Sequence, residues 1–335
     1  MAKYVPDVKT QRWVVISPAR TKRPDSAKAT TGKPDSSVGS AQAPSEAPGS
    51  HLGASKATTG KPDSASQSKN EAEHVPALRN EVTKCPFCAG NEATTPPEVY
   101  RIGPGEKDKP GWLVRVVPNK YPITDIHEVF IHSGSHIDDV DSLPVGQVTR
   151  ILMCYRDRFR AHENDGQVLI FCNHGYHAGA SLAHPHSQLV VVPKQINLDS
   201  LSREPFNNII EDNKTFVTYC PDFSQWPYEV WIAPRQEGSS FGDNQDTLLS
   251  DLAAVLQRAL KKIEMIFNNS PILPKDRQNN PFVYNYYISP GVSWFIRIIP
   301  RFIHRAGFEL GTGLNVNVVD PTEAAKELQQ VKIVS

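Results

Sequence analysis

Residues His184–Pro193 read HPHSQLVVVP, and the chain returns to a similar run, SWFIRIIP, at Ser293–Pro300. Both runs are rich in β-branched or aromatic residues and end in proline, which is typical of β-strands. Gln188–Pro193 can be placed over Phe295–Pro300 without a gap. The chain is therefore predicted to contain an internal duplication, with chance similarity between generic strands as the alternative.

The elements around these two runs recur in the same order. Tyr228–Ala233 (YEVWIA) resembles His127–Ile131 (HEVFI), and this alignment places Glu128 over Glu229. Apolar residues spaced three and four apart predict helices, and the predicted helices are Leu143–Ala161, Leu248–Phe267 and Pro321–Val331. The predicted strands are Gly111–Pro118, Glu128–His132, Gln167–Cys172, Ser187–Pro193, Tyr228–Ala233, Phe282–Ser289 and Ser293–Pro300. The predicted fold class is α+β, with two similar halves that each carry helices on one face of a largely antiparallel sheet.

Residues 24–80 differ sharply in composition from the rest of the chain. Pro, Ser, Ala, Gly, Lys and Thr dominate, and the nine-residue sequence KATTGKPDS occurs at Lys28–Ser36 and again at Lys56–Ser64. A segment with almost no large apolar side chain cannot offset the entropy lost on ordering. We therefore predict a disordered insert at 24–80, between an N-terminal half (1–23 and 81–195) and a C-terminal half (196–335).

The overall composition excludes several classes of protein. The 335 residues include 36 Lys and Arg against 36 Asp and Glu, so no bulk charge attracts nucleic acid or an anionic membrane. No apolar run approaches the ~18 residues that a membrane span needs. Five cysteines in a chain of this length are too few for a disulfide framework. We expect a cytoplasmic protein that binds neither nucleic acid nor membrane.

The first chemical motif is Cys85-Pro-Phe-Cys88. Two cysteines at this spacing can supply two thiolates to one tetrahedral metal, which needs two further Cys or His ligands. His136 and His184 are the candidates, giving one structural zinc per chain. A redox pair is a weaker alternative because no thioredoxin-like strand and helix follow, and buried thiols with unrelated histidines are another.

The second motif is His184-Pro-His186, which follows the small residues Gly179, Ala180 and Ser181. In an extended segment both imidazoles project from the same face, and proline stiffens the backbone between them. The small residues allow a ligand to approach the main chain. One histidine can thus be held by a metal while its neighbour faces a substrate, with a second ligand role for His186 as the rival.

The third motif is Ser17-Pro-Ala-Arg-Thr-Lys-Arg-Pro24. Arg20 and Arg23 can converge on one phosphate or diphosphate through bidentate hydrogen bonds. Basic residues this close together more often form a solvated surface, so the motif gains weight only beside the other two.

Taken together, SPARTKRP, CPFC, VVPNKYP, FCNHGYHAGASLAHPHSQ and AGFELGTG resemble the galactose-1-phosphate uridylyltransferase family of the histidine-triad superfamily. The resemblance covers nearly all of the chain outside the insert. It implies two histidine-triad-like halves, a homodimer, and transfer of UMP from UDP-glucose to galactose 1-phosphate through a uridylyl-histidine. A nucleoside diphosphate sugar and a sugar 1-phosphate are then the partners, in galactose metabolism.

The resemblance also assigns roles to residues of this sequence. His186 matches the nucleophile, and Gln188 matches the residue that donates a hydrogen bond to the phosphoryl group. Cys85, Cys88, His136 and His184 match the zinc ligands. The implied substrate-binding residues are Arg20, Arg23, Asn119, Asn173, Gly179, Ser181, Phe308, Glu309 and Asn315, of which the last three are expected to contact the hexose across a dimer interface.

Two alternatives remain open at this point. A plant-type relative uses the same nucleophile to move AMP from ADP-glucose to phosphate, and a zinc-stabilised nucleotide-binding protein without turnover belongs to another class. In the predicted duplication Ser293 falls opposite His186, so only the N-terminal half is expected to be catalytic.

Overall fold

The computed structural model describes residues 2–7, 12–18, 20, 85–196, 198, 205–273 and 281–333. The predicted insert at 24–80 and Arg23 lie outside these residues. The strands are β1 (Lys3–Asp7), β2 (Arg12–Ile16), β3 (Tyr100–Ile102), β4 (Val114–Pro118), β5 (His127–Ile131), β6 (Gln167–His174), β7 (His186–Val192), β8 (Ile209–Asp212), β9 (Phe216–Tyr219), β10 (Val230–Pro234), β11 (Tyr284–Ile288) and β12 (Ile296–Pro300). The helices are α1 (Val145–His162), α2 (Asp246–Asn268), α3 (Gly307–Thr312) and α4 (Pro321–Gln330).

Ten strands form one antiparallel sheet in the order β3-β4-β5-β7-β6-β11-β12-β10-β9-β8. The order is symmetric about the contact between β6 and β11, where Phe171 lies opposite Tyr287. The strands on each side are arranged alike, and each side carries one long helix between its third and fourth strand in sequence. The predicted α+β class and antiparallel sheet are confirmed, but the two halves share one continuous sheet.

A separate hairpin of β1 and β2 lies beside the N-terminal half. The Ala2 main-chain N–H donates to Asp125, and the Ser17 hydroxyl donates to the carbonyl of Pro122 at 2.6 Å. These bonds fasten the start of the chain to the loop before β5. This hairpin and the short strands β3, β8 and β9 were not predicted from the sequence.

The main core lies between the sheet and the long helices α1 and α2. One face of the sheet contributes alternate residues of its strands, such as Phe130 and Leu189 from the N-terminal half and Ile232 and Ile298 from the other. This burial of alternate residues is expected for a sheet that is covered on one side by helices. The opposite face carries two smaller apolar clusters, centred on Val129 and on Trp231 with Phe295.

The alignment of Glu128 with Glu229 is wrong by one residue. Glu128 binds Arg158 of α1 on the helical face, whereas Glu229 binds the buried Arg297 on the other face. A shift of one residue moves a strand side chain to the opposite face of a sheet. Sequence similarity between short strands did not resolve this shift, because glutamate precedes an apolar run in both places.

Cross-strand pairing gives the structural register of the repeat. Val129 pairs with Val117 on one side and Gln188 on the other, as Trp231 pairs with Tyr219 and Arg297. The same number of residues separates Val117 from Val129 as Tyr219 from Trp231.

This register also corrects two further predicted equivalences. Gln188 corresponds to Arg297 rather than to Phe295, and His186 corresponds to Phe295 rather than to Ser293. A phenylalanine cannot act as a nucleophile, so the correction leaves the expectation of a single catalytic half in place. Among the described residues, no helix combines the length and apolar character needed to cross a membrane.

Candidate active site

A cavity of about 310 Å³ lies on the face of the sheet that α1 and α2 leave open. Its volume is at the lower end of the range for small-molecule sites, roughly 300–1,000 Å³. Its walls combine flat apolar side chains with a few polar groups. The lining residues are Arg20, Pro86, Phe87, Thr94, Thr95, Pro96, Val117, Pro118, Asn119, Lys120, Tyr121, Val129, Ser181, Leu182, His186 and Gln188.

Strand β7 places the predicted catalytic residues in this cavity. His186 and Gln188 both line it, while Ser187 between them is fully buried on the helical face and accepts a hydrogen bond from Tyr155 at 2.6 Å. Alternation along a strand separates neighbouring side chains in this way. The motif His-Ser-Gln thus brings two polar side chains to one cavity, and the bond of Ser187 to Tyr155 attaches the strand to the helical layer on the opposite face.

The hydrogen bond of His186 indicates which ring nitrogen carries its proton. Nδ1 lies 2.8 Å from the carbonyl oxygen of His184, and a carbonyl can only accept. Nδ1 therefore carries the proton in the neutral ring, and Nε2 holds a lone pair. A neutral imidazole with this tautomer is equipped to attack an electrophile from Nε2.

The four predicted metal ligands come together beside β7. One ligand atom from each of Cys85, Cys88, His136 and His184 can be chosen so that all four lie within 4.8 Å of one another. Nδ1 of His184 is 3.7 Å from Sγ of Cys85 and 3.5 Å from Sγ of Cys88, and Nδ1 of His136 is 3.3 Å from Sγ of Cys88. Ideal tetrahedral zinc with Cys and His ligands gives S–N separations of about 3.6 Å. The donor set and spacing therefore fit a tetrahedral dication.

The protonation of these ligands agrees with that fit. Nε2 of His184 donates to the carbonyl of Ser133 at 2.9 Å, which leaves Nδ1 with its lone pair toward the sulfurs. Burial lowers the pKa of His184 to about 4, so the ring is neutral at pH 7. Burial and the adjacent Cys85 raise the pKa of the Cys88 thiol to about 12, a cost that a bound cation removes.

Phe87, between the two cysteines, links the metal cluster to the cavity. Its ring contacts His184 edge-on at 6.0 Å and His186 at 5.3 Å between centroids. The same side chain lines the cavity. Residues of the CPFC turn therefore set the position of both histidines and form part of the ligand wall.

The substrate-binding residues predicted from the resemblance are placed unequally. Arg20, Asn119 and Ser181 line the cavity. Asn173, whose amide oxygen accepts a bond from Asn285 at 2.8 Å, and Gly179 lie close together but outside its lining. Arg23 lies outside the described residues.

Phe308, Glu309 and Asn315 are not brought to the cavity within one chain. They lie on or just after α3, where Phe308 and Asn315 are exposed and Glu309 accepts a hydrogen bond from the main chain of Ala306. Contact with a substrate in this cavity is therefore not made from their own chain in this structure.

Several residues in or next to the cavity were not predicted, above all His127, which lies behind Gln188 and outside the lining. It is buried at the start of β5, with Nε2 at 2.9 Å from Oε1 of Gln188. Alternation in HEVFI places His127 on the same face as Val129, but only the pairing of β5 with β7 shows which residue it meets. The wall formed by Thr94–Pro96 carries no sequence signal, and Tyr121 was noted only as part of the VVPNKYP motif.

A buried polar network lies behind β7 on the helical face. His132 contacts Ser187 through Nε2 at 3.0 Å and Asp139 through Nδ1 at 3.3 Å, and His174 also bonds Asp139. Burial disfavours the charge of Asp139, but the two histidines outweigh burial and hold the pKa of this carboxyl well below its usual range. Burial likewise opposes the charge on His174, but Asp139 raises the pKa of that ring.

Comparisons with known proteins find similar enzymes. No protein-family model matches the chain. An ADP-glucose phosphorylase of Arabidopsis thaliana is 27% identical over 98% of this chain and 92% of its own length. A galactose-1-phosphate uridylyltransferase of Thermotoga maritima is 24% identical over 75% of this chain and 90% of its own.

A solved structure has the same fold. The crystal structure of an ADP-glucose phosphorylase from Arabidopsis thaliana with bound ADP-glucose superposes with a TM-score of 0.63 at 23% identity, covering 99% of this chain and all (100%) of that one. The relatives are nucleotidyltransferases and phosphorylases. The chain is therefore similar in sequence to enzymes of the galactose-1-phosphate uridylyltransferase group, as its motifs indicated, and shares the fold of one of them.

Proposed function

We propose that this protein is an ADP-glucose phosphorylase that transfers AMP through His186. The observation that carries the proposal is the tautomer of His186, whose Nδ1 is bound to the His184 carbonyl, at the wall of a cavity lined by Arg20, Phe87 and Tyr121. The likeness to an ADP-glucose phosphorylase over almost the whole of both chains supports this reaction over the UDP-glucose reaction expected first from the sequence.

In the proposed reaction, Nε2 of His186 attacks the α-phosphorus of ADP-glucose. The bond from that phosphorus to the bridging oxygen breaks, glucose 1-phosphate leaves, and AMP remains on Nε2. An oxygen of inorganic phosphate then attacks the same phosphorus, which forms ADP and releases the imidazole. Two steps through a covalent intermediate conserve the energy of the phosphoanhydride bond.

The walls of the cavity support a nucleotide as ligand. Phe87 and Tyr121 offer flat faces beside Val117 and Val129, which suits a base. Arg20 can pair with phosphate oxygens, since guanidinium groups bind them bidentately. Gln188 next to the attacking nitrogen can donate to the oxygens of the α-phosphoryl group, where negative charge develops.

We further propose one zinc ion per chain, held by Cys85, Cys88, His136 and His184. When bound, zinc would supply structural cross-linking of the CPFC turn to the strand that carries the nucleophile. The carbonyl of His184 accepts the hydrogen bond from His186, so the position of this ligand residue and the orientation of the nucleophile depend on each other.

We propose a homodimer in which the segment around α3 reaches the partner's cavity. Phe308, Leu310 and Leu314 are 55%, 76% and 62% exposed, an unusual concentration of apolar side chains on one short segment. Phe308, Glu309 and Asn315 lie away from the cavity of their own chain. The side chains matched to sugar contacts are therefore available to a second copy.

The proposed reaction is tested by a substrate panel. ADP-glucose with phosphate should yield ADP and glucose 1-phosphate far faster than UDP-glucose with galactose 1-phosphate yields exchange. Faster uridylyl exchange would return the function to the reaction expected first from the sequence. Tight binding of ADP-glucose without turnover of any pair would support a nucleotide-binding protein instead.

A further inference from the structure

The buried side chain of His127 contacts the carboxamide of Gln188 on the side away from the cavity. The two residues lie on paired strands, since Val129 of β5 is opposite Gln188 of β7, and His127 is two positions away on the same face. Their side chains meet with His127 Nε2 at 2.9 Å from Gln188 Oε1. His127 is only 4% exposed and is absent from the cavity lining, so it acts on a ligand only through its neighbours.

A main-chain contact determines which nitrogen of His127 carries the proton. The N–H of Ile123 donates to Nδ1 at 2.9 Å, and a main-chain N–H can only donate. Nδ1 must therefore be unprotonated, which places the proton on Nε2. The contact with Gln188 is then a hydrogen bond from Nε2–H to the carboxamide oxygen.

Asn119 strengthens the same arrangement. Its amide oxygen accepts the N–H of Tyr121 at 2.8 Å, so its NH₂ group points toward Gln188 and His127, with Nδ2 at 3.4 Å from Oε1 of Gln188 and 3.1 Å from Nε2 of His127. The Gln188 oxygen thus faces two donors. The part of the Gln188 carboxamide that remains for a ligand in the cavity is its NH₂ group.

This orientation matters because a glutamine side chain has nearly the same shape after a half-turn of its amide. A turned amide would present its oxygen to the phosphoryl oxygens and repel the charge that develops there. We propose that His127 is a positioning residue, whose Nε2–H keeps the NH₂ group of Gln188 directed at the α-phosphoryl group. The inference rests on the proposed function of Gln188 in AMP transfer.

The other half of the sheet carries a complementary pair at the equivalent place. There Glu229 corresponds to His127, Arg297 corresponds to Gln188, and Nε of Arg297 donates to Oε1 of Glu229 at 2.7 Å. In this half the carboxylate of Glu229 accepts and orients the donor Arg297. In the catalytic half the ring N–H of His127 donates and orients the acceptor oxygen of Gln188. In both halves the polar residue at the start of the strand that precedes the long helix, His127 in β5 or Glu229 just before β10, holds the polar side chain of the paired strand.

The test measures the rate of covalent adduct formation from ADP-glucose in a double-mutant cycle. Gln188→Ala should slow this step by about 10²–10³-fold, as expected for one lost donor. His127→Ala should slow it by at least about tenfold with little change in ADP-glucose affinity, and should have no further effect when added to Gln188→Ala.

Two further substitutions at His127, one that keeps a hydrogen-bond donor and one that replaces it with an acceptor, distinguish a positioning role from a loss of folding. His127→Gln keeps an NH₂ donor near the place of Nε2 and should retain most of the rate. His127→Glu offers an acceptor, favours the turned amide and should be slower than His127→Ala. His162→Ala is the matched control, because His162 binds Glu128 of the same strand on the helical face and should leave the rate unchanged.

Two results would overturn the inference. One is an equal loss from His127→Ala with and without Gln188, which would mean a merely structural role. The other, independent of any reaction, is ¹⁵N NMR of histidine-labelled protein showing His127 with its proton on Nδ1 rather than the expected Nε2. If the wild-type protein forms no adduct, the proposed function fails, and the NMR experiment still decides the orientation of His127.

Discussion

Nδ1 of His186 lies 2.8 Å from the main-chain oxygen of His184, so the proposed nucleophile is oriented by a residue of the metal cluster. The side chain of His184 in turn donates to the carbonyl of Ser133 and turns Nδ1 toward Cys85 and Cys88. A metal ligand and the proposed nucleophile are therefore coupled within His184–His186, the three residues that lead into β7. Loss of the cluster should affect both.

Cys88→Ser should release the metal and lower both the melting temperature and the rate of AMP transfer. The reason is that one of four ligands is lost and the Ala183–His186 segment is no longer held. Metal analysis of the purified protein and thermal melting measure the two effects. Cys154→Ala, which removes a buried thiol of α1 outside the cluster, is the control and should keep its metal. Equal metal content in wild type and Cys88→Ser would contradict the assignment.

Asp139→Asn should destabilise the fold by roughly 3–5 kcal/mol, the usual cost of breaking a buried ion pair from one side. The carboxylate is 4% exposed and faces both His132 and His174. Denaturant unfolding measures the change. A loss below about 1 kcal/mol would mean that the network carries little of the stability.

The same network predicts how stability depends on pH. Its carboxylate has a lowered pKa, so this contribution is present above the unfolded value of about 3.8 and is lost as the pH falls through the folded pKa. His174 has a raised pKa, so its contribution is complete below 6.5 and is lost as the pH rises through the folded pKa. The stability that Asp139 and His174 contribute together should therefore fall as the pH rises above 6.5, so the difference in unfolding free energy between wild type and Asp139→Asn should be smaller at pH 8 than at pH 6. Besides Asp139, the charged groups near His174 are Asp141 and Glu264, and Lys261 lies near both of these carboxylates.

Leu310→Asp should convert the proposed dimer to monomers. The side chain is 76% exposed on α3, and a charge at the centre of an apolar interface opposes association. Sedimentation velocity measures the change in mass, and Val292→Asp, at a residue 72% exposed elsewhere, should leave the dimer intact. A wild-type protein that is monomeric at micromolar concentration would contradict the proposal of a dimer.

Sequence patterns were sufficient where a residue type and a short spacing determine the outcome. Alternation in HPH predicted that His184 and His186 share a face, and the ring of Phe87 contacts both; CPFC with His136 and His184 predicted a cluster that the structure brings together. The long helices were predicted to within three residues at each end, because apolar spacing over many turns is a strong signal.

Relationships between distant strands were beyond the sequence. The contact of His127 with Gln188 depends on which residues of β5 and β7 face each other, and the one-residue error between Glu128 and Glu229 arose from the same cause. A strand of five residues is too short for sequence similarity alone to fix its alignment with another strand, and an error of one residue exchanges the two faces. The continuity of the sheet through β6 and β11 was likewise invisible, because Phe171 and Tyr287 show no local sign of pairing.

Whether His186 carries AMP as a covalent intermediate is tested most directly by mixing the protein with ADP-glucose alone, quenching in neutral denaturant and measuring intact mass. We predict an increase equal to one adenylyl group, located on His186, labile to acid and discharged as ADP when phosphate is added before the quench. His186→Ala should show no adduct and a rate lower by many orders of magnitude, because the covalent route is removed rather than weakened. Turnover without any adduct, together with substantial activity in His186→Ala, would contradict the account.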